Sequence, residues 1–313
     1  MSSILLQLTF FILKISVAFV PQDKYTRAIE TIVPVEHKND GFDLKGWEYR
    51  TIDASLPGSV HRYYNFPGPR PDAPVFLFIH GLNLDGRNFV NLSSLASQYR
   101  LIAYDFPDRS PYYTGKLDDF SLLINDFLAR EKITSVSVAG VSFGGIAAIH
   151  WAAHTTQTEI DKIILISSGV VGTNPEQQKR SRSTARLLEN LKDYQVYWLI
   201  EKLTNRFIKN FPDHTQKMML PLFRIKHPDF YREVMVSLAG YDASDDARRI
   251  TCPVLALLGT RDELFPLKDT SSITTCIPHA KLELIPNGSH IMSFLDGDVI
   301  AQKIAEFQLP KSY

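Results

Sequence analysis

Short apolar runs alternate with segments of helical periodicity along most of this chain, and this alternation restricts the fold more than any other feature. The continuous apolar run VFLFI predicts a strand that is buried on both faces, and RLIAYD predicts another buried strand. The segments SVSVAG, DKIILIS, PVLALLG and AKLELIP predict further strands. Between them, residues 116–131 and several other segments place apolar residues at helical spacing. Strands that are separated by helices imply βαβ units with right-handed crossovers. We therefore predict an α/β fold with a mostly parallel central sheet and helices on both faces.

The alternation is interrupted between about Val170 and Pro228. This stretch is helical, basic and aromatic in character, and strands alternate with helices again after it. We predict that residues 21–169 and 229–313 form the core, and that residues 170–228 form a helical cap inserted over one end of the sheet. Ligands of parallel α/β sheets bind at the carboxyl ends of the strands, so we expect catalytic residues directly after strands.

The composition is that of a globular protein without a dominant charge. The 313 residues are 44% hydrophobic, and 34 Lys and Arg residues balance 34 Asp and Glu residues. A core can therefore form, and no overall field attracts nucleic acid, so we expect no nucleic-acid partner. The two cysteines, Cys252 and Cys276, are too few for a disulfide framework. Both are predicted at the amino ends of strands, where one bridge is sterically allowed, although free buried cysteines are common.

The N-terminal segment, residues 4–20, is apolar except for a few polar side chains. Such a run suits a secretory signal that is cleaved after Ala18, but no basic residue precedes Lys14. It also suits a membrane-associated helix, although the run is short and contains a lysine. A third interpretation is a helix that packs on the domain. We favour export or membrane association through residues 4–20 over a cytoplasmic location.

Three polar residues follow predicted strands in the order Ser, Asp, His. Ser142 comes after SVSVAG, Asp262 after PVLALLG and His290 after AKLELIP. A serine hydroxyl is a weak nucleophile at neutral pH and needs a base within hydrogen-bond reach. A histidine can supply that base, and a carboxylate can hold the imidazole in the required tautomer. The order and placement of these residues favour nucleophilic catalysis by Ser142.

The motifs around these residues resemble those of the α/β-hydrolase superfamily, and within it the cap-bearing serine hydrolases. They are His80-Gly81 after VFLFI, GVSFGG around Ser142, GTRDELFP around Asp262 and NGSH ending at His290. The similarity covers roughly residues 45–310. Each motif is weak alone, but all of them occur in the family's order and at strand ends.

The resemblance implies a role for each of these positions. Ser142 is the nucleophile, His290 the general base, and Asp262 the acid that orients the imidazole. The backbone N–H groups of Leu82 and Phe143 are expected to form the oxyanion hole.

Other positions are expected to support this site structurally. Gly140, Gly144 and Gly145 leave room for a tight strand–turn–helix connection in which the nucleophile has unfavourable backbone angles. His80 and Gly81 are expected to hold the oxyanion loop without transferring protons.

Rival assignments exist for the acid and the base. Glu263 is the near alternative for the acid, whereas residues 167–169, SSG, contain no carboxylate after the strand that precedes the cap. His279 precedes its strand and is therefore expected at the opposite end of the sheet. The loop after RLIAYD, where the family often has glycines, carries Asp108-Arg109 instead. Because of this difference, the resemblance does not predict the shape of the pocket rim.

A second histidine feature follows the Ser142 turn. His150 and His154 lie one turn apart on the next predicted helix and could hold a metal on one face, but the sequence shows no third ligand. We therefore expect a surface pair near the helix C-terminus and no metal site. The basic run 179–186, KRSRSTAR, is interpreted as a solvated helix start, with contact to anionic lipid or an acidic substrate as the alternative.

Together these inferences predict a serine hydrolase that cleaves a carboxylic ester, lactone or thioester through an acyl-enzyme, without a cofactor. Its expected partner is a small apolar acyl substrate. Cleavage of a carbon–carbon bond next to a ketone uses the same triad in similar proteins and stays open. A ligand-binding homologue without catalysis is the alternative from another functional class.

Overall fold

The computed structural model describes residues 20–30, 42–107, 115–223, 225–267 and 272–307. The apolar N-terminal segment before Val20 and the pair Asp108-Arg109 lie outside these residues, so the expectations about them stay predictions. Among the described helices, none combines the length and the apolar character that crossing a bilayer requires.

Eight strands among the described residues form one sheet. They are β1 Glu48–Asp53, β2 Val60–Phe66, β3 Val75–Ile79, β4 Arg100–Asp105, β5 Ser135–Val141, β6 Glu159–Ile166, β7 Val254–Gly259 and β8 Lys281–Ile285. Their order across the sheet is β1-β2-β4-β3-β5-β6-β7-β8. The β1–β2 and β2–β4 pairs are antiparallel, and the other neighbours are parallel. The predicted α/β fold with a mostly parallel sheet is confirmed.

Helices follow or connect most of these strands. They are α1 Gln22–Glu30, α2 Leu117–Arg130, α3 Phe143–His154, α4 Pro175–Glu189, α5 Asp193–Ile208, α6 Asp213–Met219, α7 Pro228–Gly240, α8 Ser244–Arg249, α9 Ser272–Cys276, α10 Met292–Leu295 and α11 Gly297–Glu306. Two segments, Gly86–Ser97 and Leu220–Leu222, are 3₁₀ helices.

Strand β3 shows why the apolar runs are continuous. Leu77 and Ile79 point into a core layer that includes residues of α2 and α3, whereas Phe76 and Phe78 point into a second layer with the Gly86–Ser97 helix and α11. All of these side chains are fully buried. Because successive side chains of a strand alternate between faces, a strand covered on both sides must be apolar at every position.

The closing helical segment is divided into two helices. Helices α10 and α11 meet at Asp296, and both pack against the Gly86–Ser97 helix. At Gly297 an added Cβ would lie 2.4 Å from the Cβ of Asn91. The close approach of the two backbones at this point therefore requires glycine.

The segment between β6 and β7 is helical, and its packing continues beyond the predicted boundary. Helix α7 lies along α4, and α1 packs against α5. Helix α7, which begins at the predicted boundary, therefore packs on a helix of the predicted cap, and the division of the chain into core and cap stays a prediction. Lys226 and Pro221 connect this segment to the core: the Lys226 Nζ donates to the Phe106 carbonyl at 3.0 Å, and the Pro221 carbonyl accepts from Arg87 Nη2 at 2.5 Å.

Candidate active site

The predicted catalytic residues lie at the carboxyl edge of the parallel sheet. Ser142 comes directly after β5, while Asp262 and His290 lie in the connections after β7 and β8. These strands belong to the continuous parallel series β5-β6-β7-β8. Because the carboxyl ends of parallel strands share one edge, the fold brings residues that are distant in sequence to the same end of the molecule.

Ser142 stands on a sharp turn between β5 and α3, with backbone angles φ 53° and ψ −119°. A positive φ is costly for a residue with a side chain and persists only where the surroundings enforce it. The Ser142 N–H donates to the Ile166 carbonyl at 3.0 Å, and the Ser142 carbonyl accepts from the Gly145 N–H at 3.0 Å. The turn is therefore held on both sides by backbone hydrogen bonds.

Close backbone packing around this turn explains two of its glycines. At Gly140, an added Cβ would lie 2.3 Å from the Gly144 carbonyl oxygen. At Gly144, it would lie 2.1 Å from the carbonyl oxygen of Ile79 at the end of β3. Both distances are far shorter than van der Waals contact, so strand β5, helix α3 and strand β3 can approach this closely only without side chains at these positions.

His290 and Asp262 form a buried pair. The His290 Nδ1 lies 2.9 Å from Oδ2 and 3.0 Å from Oδ1 of Asp262, whose side chain is 1% exposed. The Asp262 Oδ1 also accepts the backbone N–H groups of Leu264 and Phe265 at 2.9 and 2.8 Å. Since an ionised carboxylate only accepts hydrogen bonds, Nδ1 carries the hydrogen, and Nε2 is left as the basic nitrogen of the neutral ring.

Two serines at the end of β6 connect the nucleophile turn with the histidine loop, a role that sequence analysis missed. The Ser168 Oγ donates to the Ser142 carbonyl at 2.6 Å. Its neighbour Ser167 donates from Oγ to the carbonyl of Ser289, directly before His290, at 3.5 Å. Ser142 and His290 are thus supported by adjacent residues of one strand end. The signal available in the sequence was the position of SSG directly after a predicted strand.

The loop after β3 lies against the nucleophile. A Cβ added to Gly81 would be 3.4 Å from the Cβ of Ser142, which places the backbone that leads into Leu82 beside the serine. Phe143 is the first residue of α3, and its N–H is one of those that a helix leaves without an intrahelical acceptor. The two backbone groups predicted for the oxyanion hole therefore border Ser142 from the β3 loop and from the helix N-terminus.

His80 is buried behind this loop. Its Nδ1 lies 2.7 Å from the Gly81 carbonyl oxygen, and its Nε2 lies 3.2 Å from the backbone nitrogen of Phe106. The Gly81 carbonyl accepts from Nδ1–H, and Nε2 accepts the Phe106 N–H while Oδ1 of Asp105 lies 3.4 Å from it. The ring is thereby tied to two backbone groups in a position to hold the β3 loop.

The rival residues lie elsewhere. Glu263 is exposed to solvent beside the buried Asp262. His279 is exposed just before β8, at the amino end of the strand, and its Nε2 contacts the Cys252 carbonyl oxygen at 2.9 Å. In the structure it is Asp262 that contacts the His290 Nδ1.

The prediction of a surface histidine pair is wrong for His150, whereas His154 is exposed as expected. His150 is buried, and its Nδ1 lies 2.8 Å from Oδ2 of Asp246 on α8. The Nε2 of His154 lies 3.5 Å from the other oxygen of the same carboxylate. The sequence could not show this contact, because 96 positions separate His150 from Asp246 and the cap helices lie between them.

The cysteines are both free. Cys276 is buried and Cys252 is partly buried, and burial raises the pKa of the Cys252 thiol to about 11. This thiol therefore stays protonated at neutral pH. Because both cysteines are free, the bridge that the sequence allowed is not formed.

Comparison with known proteins defines the class. A model of the alpha/beta hydrolase family matches residues 76–303, most of the chain and all of the strands that carry the candidate site. The chain belongs to this family, and the hydrolases among its relatives identify it as a hydrolase enzyme.

Individual relatives are distant but match over most of their length. The chain is 24% identical to the proline iminopeptidase PfmaB of Pestalotiopsis fici, over 77% of this chain and 93% of that protein. It is 22% identical to a pimeloyl-[acyl-carrier protein] methyl ester esterase of Vibrio atlanticus, over 78% and 97%. Among solved structures, the enol-lactonase of Burkholderia xenovorans superposes with a TM-score of 0.66 at 18% identity, over 83% of this chain and 99% of that chain.

Proposed function

We propose that this protein is a serine hydrolase that cleaves a carboxylic ester, lactone or thioester through an acyl-enzyme on Ser142. The observation that carries the proposal is the buried His290–Asp262 pair, at 2.9 Å, on the same sheet edge as the strained Ser142 turn. The serines that follow β6 add support, because they contact both the Ser142 turn and the loop before His290.

Acylation follows from the roles that these groups can fill. The Ser142 Oγ attacks the carbonyl carbon of the substrate while His290 Nε2 accepts the hydroxyl proton. The imidazolium that forms is stabilised by Asp262, whose carboxylate is held in place by the N–H groups of Leu264 and Phe265. Because these partners are fixed before the reaction, little reorganisation is needed when charge develops.

The oxyanion of the tetrahedral intermediate needs donors at fixed positions. The N–H groups of Phe143 and Leu82 fill this role in the proposal, and each such donor contributes on the order of 3 kcal/mol to transition-state stabilisation. As the intermediate collapses, His290 returns its proton to the leaving oxygen or sulfur. Water, activated by the same histidine, then releases the acyl group from Ser142.

Aromatic side chains pack beneath the site and support the Ser142 turn. The Phe143 ring packs edge-on against Phe120 with centroids 4.8 Å apart, and Phe120 packs against Phe106 at 4.1 Å. The Phe106 ring in turn packs against the His80 ring, and the Phe106 backbone carbonyl accepts a hydrogen bond from Lys226 Nζ. Because these rings are buried, they form the core under the Ser142 turn, and an apolar acyl substrate is proposed to bind above it, under the predicted cap.

The names of similar proteins include esterases and an enol-lactonase, but also a proline iminopeptidase and carbamate hydrolases, so they support hydrolysis of carboxylic acid derivatives in general. An esterase and an enol-lactonase occur among the curated relatives and the similar structures. Carbon–carbon bond cleavage would use the same three side chains, so a ketone-type substrate belongs in the test panel.

Membrane association remains a separate proposal. The apolar residues 4–20 come before α1 in the sequence. Helix α1 contacts the predicted cap, because the Tyr25 hydroxyl donates a hydrogen bond to Glu201 Oε2 at 3.1 Å. A membrane-bound segment would therefore hold the cap near the bilayer. N-terminal sequencing of protein from its native host separates the alternatives: a start at Phe19 indicates a cleaved signal, whereas an intact Met1 excludes it.

The catalytic proposal is tested with p-nitrophenyl esters of increasing acyl length, a lactone, a thioester and a β-diketone, together with a fluorophosphonate probe. We expect ester turnover by the wild-type protein and covalent labelling at Ser142. The variant Ser142→Ala should lose both, while Ser97→Ala, which alters an exposed serine, should retain both.

Turnover by Ser142→Ala at the wild-type rate would overturn the proposed nucleophile. Absence of ester turnover and of probe labelling in folded wild-type protein would overturn the serine hydrolase mechanism itself.

A further inference from the structure

Three side chains of the kinds that bind metals meet near the C-terminal end of α3, the helix that follows Ser142. His150 and His154 are one turn apart on α3, and Asp246 faces both of them from α8. One ligand atom from each residue lies within 4.8 Å of the others. His150 and Asp246 are buried, while the His154 side chain is 41% exposed.

Both imidazoles are oriented by hydrogen bonds on the side away from Asp246. The Nδ1 of His154 lies 2.8 Å from the His150 carbonyl oxygen, and the Nε2 of His150 lies 3.0 Å from Oδ1 of Asp118. Metal-binding histidines usually donate their second N–H to a backbone carbonyl or a carboxylate in this way. The nitrogens left over, His150 Nδ1 and His154 Nε2, are the two that face Asp246.

The carboxylate is oriented as well. The Tyr241 hydroxyl donates to Asp246 Oδ2 at 2.5 Å. Oδ2 also faces His150 Nδ1 at 2.8 Å, and Oδ1 faces His154 Nε2 at 3.5 Å. Each of the three groups is thus held from behind by a further polar group, as in preorganised metal sites.

We propose that His150, His154 and Asp246 bind a divalent transition metal, with Zn²⁺ as the best match to two imidazoles and one carboxylate. Two ligand atoms at about 2.1 Å from a tetrahedral ion are about 3.4 Å apart. The 3.5 Å between His154 Nε2 and Asp246 Oδ1 fits this spacing, whereas the 2.8 Å between His150 Nδ1 and the other oxygen, Oδ2, is a hydrogen-bond distance and must open. Since the ligand atoms lie within 4.8 Å of one another, side-chain adjustments have to bring them to the tetrahedral spacing. A metal replaces the hydrogen that joins His150 Nδ1 to the carboxylate.

Access and charge set the limits of the site. The His154 side chain is 41% exposed, so an ion can reach the site directly from solvent. A cavity of about 520 Å³, lined partly by Thr155 and Arg249, lies next to the end of α3. The Arg249 Nη1 lies 3.5 Å from His154 Nε2, so its positive charge opposes metal binding and must move outward. Water from the cavity can complete the coordination as a fourth ligand.

The position of the site indicates a structural role, independent of the proposed catalysis. His150 is eight residues from Ser142, which corresponds to about 12 Å along a helix. The metal would join the helix that supports Ser142 to α8 and, through Tyr241, to the end of α7. Binding should therefore raise the melting temperature, because a ligand that binds the native state stabilises it.

The test is titration of the chelator-treated full chain with Zn²⁺ by calorimetry and with Co²⁺ by visible absorption. We expect one ion per chain, a tetrahedral Co²⁺ spectrum and a higher melting temperature. His154→Ala and Asp246→Asn should weaken binding by more than about 100-fold, and Asp118→Asn by about tenfold, as measured for supporting groups elsewhere. Arg249→Gln should tighten it.

His214→Ala is the matched control, because His214 is an exposed histidine on α6 outside the cluster. It should leave Zn²⁺ affinity unchanged. If the wild-type protein binds no ion, or if binding survives in both folded variants His154→Ala and Asp246→Asn, the proposed metal site is wrong and the cluster is a hydrogen-bonded network only.

Discussion

Replacement of Asp262 by asparagine is the sharpest test of the proposed mechanism, because the structure separates its catalytic effect from its structural effect. In Asp262→Asn the side-chain oxygen can still accept the N–H groups of Leu264 and Phe265, which lie 2.9 and 2.8 Å from Oδ1. The loop after β7 should therefore keep its conformation. In the wild-type protein Oδ2 lies 2.9 Å from His290 Nδ1, and in the variant the amide NH₂ takes the place of Oδ2.

An NH₂ group donates, so Nδ1 must accept and the ring hydrogen moves to Nε2. In that tautomer His290 cannot take the proton of Ser142. Such a change of tautomer costs about 10⁴ in kcat, or about 5.4 kcal/mol at about 1.36 kcal/mol for each factor of ten. The melting temperature should change little, because the buried carboxylate is replaced by a group of the same shape.

The assay is steady-state hydrolysis of the best ester from the substrate panel, with thermal unfolding measured on the same preparations. Glu263→Gln serves as the control, since Glu263 is the exposed neighbouring carboxylate, and it should keep kcat within about twofold. A fall in kcat of less than tenfold in a folded Asp262→Asn variant would refute the role given to Asp262. A comparable fall in Glu263→Gln would transfer that role to Glu263.

Three further predictions concern packing, pH and the support of the nucleophile. Gly144→Ala should lower the free energy of unfolding by about 3 kcal/mol in urea titrations, because its Cβ would lie 2.1 Å from a carbonyl oxygen, whereas Gly240→Ala meets no atom within 4 Å and should have little effect. Burial lowers the pKa of His61 below its usual 6.5, so below this pH the unfolded chain takes up a proton at His61 more readily than the folded protein does. The free energy of unfolding should therefore fall as the pH drops below 6.5. His61→Gln should make this dependence on pH weaker. Ser168→Ala removes the 2.6 Å hydrogen bond to the Ser142 carbonyl and should lower kcat about fivefold, equivalent to about 1 kcal/mol, without changing KM; an equal loss in Ser97→Ala would contradict this reasoning.

The sheet and the candidate triad were accessible from sequence for a common physical reason. A strand covered on both faces must be apolar at every position, as Phe76, Leu77, Phe78 and Ile79 are, so its end is visible as the first polar or glycine residue. Ser142 comes directly after such an end, whereas Asp262 and His290 lie a few residues farther on, in the loops after β7 and β8. Local pattern therefore located Ser142 and its partners without any knowledge of long-range contacts.

Contacts between elements had no comparable local signal. Residues 167–169 drew notice only for lacking a carboxylate, yet Ser167 and Ser168 connect the loop before His290 with the Ser142 turn. The division of the closing helix depends on the close approach of Gly297 to Asn91, a contact that helical periodicity cannot encode. In both cases the deciding partner comes from a distant part of the chain.

The His150 cluster also depends on a partner from a distant part of the chain, which the sequence pattern does not reveal. The i, i+4 spacing of His150 and His154 was visible, but a pair on one helix face specifies a site only when a third group arrives from elsewhere. That group is Asp246, on a six-residue helix whose acidic and basic residues have the pattern of an exposed surface. Its carboxylate faces the histidines because Tyr241, at the end of α7, donates to it at 2.5 Å. The return of the chain from the predicted cap therefore completes this cluster. Loss of the Tyr241 hydroxyl in Tyr241→Phe should for that reason weaken Zn²⁺ binding about tenfold while leaving all three ligands in place.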